Sequence, residues 1–70
     1  MTGDIIAFYL SDDPENFFAG VITKALPSGR AHIRVFEPNG ASVRRQVERV
    51  DGHARKYRWA FIEHAQELLQ

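Results

Sequence analysis

The tetrapeptide Glu37-Pro38-Asn39-Gly40 constrains this chain more than any other feature, because it stands between two strand-like runs and folds them back on each other. Proline presets φ at the corner of a turn, and an Asn-Gly pair accepts positive φ at low cost. Before the turn, Ala31, Ile33 and Val35 alternate with His32, Arg34 and Phe36, so the run from Arg30 to Glu37 has one apolar and one mostly polar face. After it, the run from Ala41 to Val50 puts Val43 and Val47 on the same side as Arg45 and Arg49. The alternation therefore slips near Arg45, where a bulge or an edge strand is expected.

Two further runs precede this hairpin. Asp4 to Leu10 is apolar nearly throughout and ends at Ser11-Asp12-Asp13-Pro14, a turn by composition. Phe17 to Leu26 is interrupted by Gly20, where a missing side chain allows a bulge, a bend or a close backbone approach, and Pro27-Ser28-Gly29 turns the chain again. Beyond Asp51-Gly52 the period changes: Tyr57, Phe61, Ala65 and Leu68, flanked by Ile62 and Leu69, form one stripe at helical spacing. Trp59 lies off that stripe, so it is expected at the helix rim or in solvent.

Seventy residues hold one core, and a core of that size leaves only a few kcal/mol of net stability. The sequence thus predicts a single, mainly β domain over 1–70: a small, strongly bent antiparallel β-barrel of four to five strands over 3–50 and an amphipathic helix over 54–70. Cysteine is absent, which rules out disulfides, thiolate metal sites and a cysteine nucleophile within these residues and fits a reducing, cytoplasmic setting. The longest apolar run, Ile5 to Leu10, is six residues, too short to span a bilayer, so no membrane association is expected.

The spaced glycines and alternating runs, Gly3-Asp4-Ile5-Ile6-Ala7-Phe8-Tyr9, Gly20-Val21-Ile22, Gly29-Arg30-Ala31-His32-Ile33-Arg34-Val35-Phe36 and Val47 to Val50, resemble the small-barrel superfamily of Src-homology-3-like folds, with Tudor and KOW modules nearest. The resemblance covers residues 3–50 and implies a barrel of about five strands that binds peptides or nucleic acid and seldom catalyses. It also implies an aromatic mouth, for which Tyr9, Phe17, Phe18 and Phe36 stand at suitable places to hold a cation or a base. Glu37-Pro38-Asn39-Gly40 departs from the aspartate-aromatic-glycine turn common in Tudor domains, which argues against a methyl-lysine cage. The bland alternative is that most of these aromatics fill the core.

Charge is segregated although nine basic and nine acidic residues cancel overall. One lysine faces four carboxylates from Met1 to Gly29, eight cations face three carboxylates from Arg30 to Arg58, and only glutamates follow. Arg44, Arg45, Arg49, Arg55, Lys56 and Arg58, interleaved with Tyr57 and Trp59, are the candidate phosphate contacts, since guanidiniums complement phosphate oxygens and aromatic rings stack on bases. The competing reading is a solvated face paired with Glu48, Asp51, Glu63 and Glu67.

No catalytic or metal chemistry stands out. His32, His53 and His64 fall on a strand, a turn and a helix without metal-ligand spacing, and Glu63, His64 and Glu67 do not converge by helical stepping. Ser11, Ser28 and Ser42 lie at turns without a nucleophile motif or a phosphate-cradling glycine loop. Activity would need a site built between subunits. The sequence therefore favours a non-catalytic, cofactor-free module acting through protein contacts, as an adaptor or homo-oligomer, with Tyr9, Phe17, Phe18, Phe36 and Trp59 as the contact residues. Nucleic-acid binding by the basic 44–58 segment is the alternative.

Overall fold

A computed structural model describes residues 2–50 and 52–70 of the chain. Five strands, β1 (Ile5–Tyr9), β2 (Phe17–Ala25), β3 (Ala31–Glu37), β4 (Gly40–Val47) and β5 (Trp59–Phe61), precede one helix, α1 (Ile62–Leu68). They make a single sheet in the order β4-β3-β2-β1-β5, with every neighbouring pair antiparallel. The hairpin around Pro38-Asn39 forms as expected: Glu37 pairs with Gly40, whose φ of 130° is open to glycine alone.

The slip near Arg45 is a bulge. Ile33 pairs with Arg44 but Ala31 pairs with Val47, so β4 fits an extra residue at this point, and Gln46 takes it up with a φ of 52°. Before the bulge Val43 faces outward and is exposed; after it Val47 turns inward and is buried. A second bulge bends β2 between Ile22 and Lys24. Gly20 marks a close approach of two strands, since a Cβ there would sit 2.5 Å from the carbonyl oxygen of Arg34.

Bending separates two cores. The concave side packs Ile6, Phe8, Ile22, Ala31, Ile33, Val35, Val47 and Trp59. On the opposite face, Ala7, Tyr9 and Ala60 are covered by Ala65 of α1 and by Val50 and Ala54 of the preceding loop. Both faces of β1 are thus buried, which accounts for its nearly continuous apolar run.

The C-terminal region departs from the sequence expectation. Residues 54–61 are loop and β5, and the helix begins only at Ile62. Trp59, expected at a helix rim or in solvent, is 2% exposed, opposite Phe8 across the β1–β5 ladder. Trp59, Ala60 and Phe61 alternate large, small, large, and this period of two prevails because their bulk completes the concave core. Tyr57 interrupts the helical stripe with a φ of 62°.

The edge strands β4 and β5 form no ladder with each other, so the backbone pairing gives one five-stranded antiparallel sheet, without the strand pairing that would close it into a barrel. The chain just past β4 nevertheless touches β5 at one parallel bridge, Arg49 to Trp59. Trp59 N–H donates to Glu48 O at 3.1 Å, and Val50 N–H donates to Trp59 O at 2.8 Å. Among the described residues, no helix is long and apolar enough to cross a membrane.

Candidate functional site

Where the chain leaves the β4 bulge, a groove of about 510 Å³ opens along the rim of the concave side. Its walls come from three places: Arg30 just before β3, Arg44 to Val47 on β4 with Glu48 just past it, and Tyr57-Arg58 from the loop before β5, with Phe8 of β1 reaching its floor. The bulge is what aims the β4 side chains. Arg44 pairs with inward-facing Ile33, so its stem points over the core and its guanidinium carbon stands 5.3 Å from the centre of the Phe8 ring. His32 Nδ1 accepts the Gln46 N–H at 3.1 Å and holds the bulge from the neighbouring strand.

Four arginines, Arg30, Arg44, Arg45 and Arg58, line the groove together with one carboxylate, Glu48. Glu48 sits between two of them, 3.3 Å from Arg58 and 4.0 Å from Arg30. All three side chains are substantially solvated, so these pairs add little stability and chiefly fix where the guanidiniums stand. Among the described residues, Arg44 and Arg45 have no carboxylate in ion-pair range. The groove therefore carries a net cationic field although the chain is neutral.

Tyr57 lies almost parallel to Phe8, with centroids 6.2 Å apart and planes 12° from parallel, and Lys56 Nζ stands 4.9 Å from the Tyr57 centroid. The loop carrying them is pinned to the end of β1: Tyr57 N–H donates to Tyr9 O, Tyr9 N–H to Arg58 O, and Lys56 N–H to Asp12 Oδ1. Asp12 belongs to the acidic turn after β1, in which Asp13 Oδ1 accepts the Glu15 N–H at 2.9 Å. Asp12-Asp13 thus does the turn chemistry expected of it.

Of the six basic residues singled out from sequence, Arg44, Arg45 and Arg58 line this groove and Lys56 borders it through Tyr57. Arg49 and Arg55 do not join them: Arg49 stands beside Gly52 and His64, and Arg55 beside Asp12, Pro14 and His53. Asp51, one of the expected acidic partners, lies outside the described residues. Glu48 is the expected partner that pairs, and it does so with Arg58 and with Arg30. Sequence reading passed over Arg30 and Phe8. Counting pairs back from the Pro38-Asn39 turn brings Arg30 within a residue of Glu48, which was the available signal.

The expected aromatic mouth is not assembled. Tyr9 and Trp59 are buried in different cores, Phe17 packs edge-on against Tyr9 at 5.8 Å, and Phe18 lies on the concave side. Phe36 alone is half exposed, on the outer face. The strict alternation of side chains sends Phe17 and Phe18 to opposite faces, so neighbours in sequence cannot share a cage. Burial holds the Tyr9 phenol above its ordinary pKa, and its hydroxyl has no hydrogen-bond partner among the described residues.

The histidines are dispersed as the sequence indicated: His64 Nε2 lies 2.8 Å from Gly52 O, and His32 supports the bulge. Among the described residues, no three His, Asp or Glu side chains gather as for a metal ion.

Fold and groove together define a small bent-sheet protein with a cationic, aromatic-floored groove along one edge. No family model, no curated protein and no solved structure matches the chain.

Proposed function

We propose that this protein is a non-catalytic nucleic-acid-binding module that seats a phosphate backbone along the groove between β4 and the Tyr57-Arg58 loop. The observation that carries this reading is that Arg30, Arg44, Arg45 and Arg58, from three chain segments, line one groove with a single carboxylate, and Lys56 stands at its border. Guanidiniums bind phosphate oxygens through charge-assisted hydrogen bonds, and each phosphate neutralised releases condensed counterions. Two non-glycine residues in the left-handed region, Gln46 and Tyr57, face this groove, and such strained positions cluster at ligand clamps.

We read the sheet as an open relative of the Src-homology-3-like small barrels. The strand order and the bridge from Arg49 to Trp59 support that reading. Absence of cysteine supports a reducing, cytoplasmic setting.

The test is binding of a labelled mixed-sequence oligonucleotide, followed by fluorescence anisotropy at low and moderate salt. Affinity that falls steeply and log-linearly with salt supports the reading; no binding at low salt removes it.

A protein-interaction role has support of its own on the outer face, away from Trp59. Ile5, Val21, Arg34 and Val43 form one row of directly paired residues across β1 to β4, with Phe36 beside it, and α1 packs chiefly on β1 and β5. Ile5, Val43 and Phe36 are each about half exposed or more. Sedimentation at rising concentration checks the homo-oligomer version: a mass increase that Val43→Lys abolishes supports it, and a constant monomer mass removes it.

A further inference from the structure

Three ring contacts link four side chains beside the groove: the Arg44 guanidinium with Phe8, Phe8 nearly parallel to Tyr57, and the Lys56 ammonium with Tyr57. Phe8 belongs to the core, but Tyr57 does not. At 58% exposure it is the most exposed of the large apolar and aromatic side chains among the described residues. Its φ of 62° is a costly conformation for a bulky residue.

That cost is over-determined by the surrounding backbone. Lys56 N–H is held by Asp12 Oδ1 at 3.0 Å, Tyr57 N–H by Tyr9 O at 2.8 Å, and Arg58 N–H by Arg55 O at 3.2 Å. Three consecutive amides are thus fixed in order to present an exposed ring beside four guanidiniums. One face of the ring lies against Phe8, yet more than half of the residue stays open to solvent.

We infer that Tyr57 is the stacking platform for one unpaired nucleobase, so that the groove selects single-stranded over duplex nucleic acid. The inference rests on the nucleic-acid reading and adds to it the strandedness of the ligand and the residue that senses it. An aromatic face accepts either a cation or a base. In the free protein the Lys56 ammonium occupies the Tyr57 ring. A base takes that position, and the released ammonium turns to an adjoining phosphate, so stacking brings a further cation onto the backbone. Arg30, Arg44, Arg45 and Arg58 hold the neighbouring phosphates. A duplex keeps its bases stacked inside and offers the groove only phosphates.

The experiment compares a labelled single-stranded oligonucleotide with its duplex by anisotropy, with inorganic polyphosphate as a base-free competitor. Wild type, Tyr57→Phe and Tyr57→Asn are measured, asparagine being chosen because it tolerates left-handed φ while removing the ring. Thermal melts followed by circular dichroism establish that each variant is folded. Single-strand affinity is expected to fall by between about fivefold and a hundredfold in Tyr57→Asn and to stay within about twofold in Tyr57→Phe. Duplex affinity, and polyphosphate competition against the duplex, should not change. Equal affinity for single strand and duplex, or a weakening in Tyr57→Asn that is the same for all three polyanions, overturns the inference while leaving the phosphate groove standing. No binding of any oligonucleotide overturns both.

Discussion

The indole Nε1–H of Trp59 donates to the carbonyl oxygen of Val47 at 3.0 Å, in the interior of the concave core. That bond ties the last strand to the end of the fourth, the two edges of the sheet.

Trp59→Phe removes this bond and leaves part of the indole volume empty. A loss of about 2–4 kcal/mol is expected, read as a lower denaturant midpoint at constant m-value. For a core this small, that is a large share of total stability.

Gly20→Ala places a methyl group 2.5 Å from the Arg34 carbonyl oxygen, against backbone on the central β2–β3 ladder. Neither strand yields without breaking pairing, so a destabilisation of about 2 kcal/mol or more is expected. Thermal unfolding measures it, and an unchanged melting temperature would contradict the close approach.

Burial raises the pKa of Tyr9 above its ordinary 10.0. In the unfolded chain the phenol loses its proton near pH 10, whereas the folded protein retains it to higher pH. The folded state then binds more protons, and stability falls as pH rises above about 10. Tyr9→Phe should flatten that decline. At neutral pH the same substitution should leave stability unchanged or raise it by up to about 1 kcal/mol, because the buried hydroxyl it deletes has no partner.

Arg44→Gln with Arg45→Gln should reduce the slope of log affinity against log salt by about 1.4 for a single-stranded ligand, about 0.7 for each phosphate no longer neutralised. Arg49→Gln with Arg55→Gln, two residues outside the groove, should change it by less than half as much. Titrations at several salt concentrations give both numbers. Equal effects would mean that the groove does not organise the binding.

The β2 and β3 strands, the Pro38-Asn39 hairpin and the bulge near Arg45 were legible because each is a local rule: a turn sequence, an alternation and a break in it. The C-terminal third was less so. Tyr57, Phe61, Ala65 and Leu68 satisfy a helical period, while Trp59, Ala60 and Phe61 satisfy a strand period, and no local signal ranks the two. Phe8 and Ile6 decide it, by offering Trp59 and Phe61 cross-strand partners. For the candidate site, the arginine-rich stretch was visible in one dimension, but its division was not. Arg44, Arg45 and Arg58 meet Arg30 only because the bulge and the loop clamp bring three segments to one edge, while Arg49 and Arg55 turn elsewhere.

The sequence by itself determined the β-rich single core, the turns, the position of the bulge and the segregation of charge, since these follow from side-chain period and from the φ preferences of glycine, proline and asparagine. Only the tertiary structure decided that Trp59 is a core residue and that Tyr57 stands strained and exposed beside four guanidiniums. Those outcomes depend on which distant strands supply partners and backbone acceptors, and such non-local contacts have no signature in the order of residues along one segment.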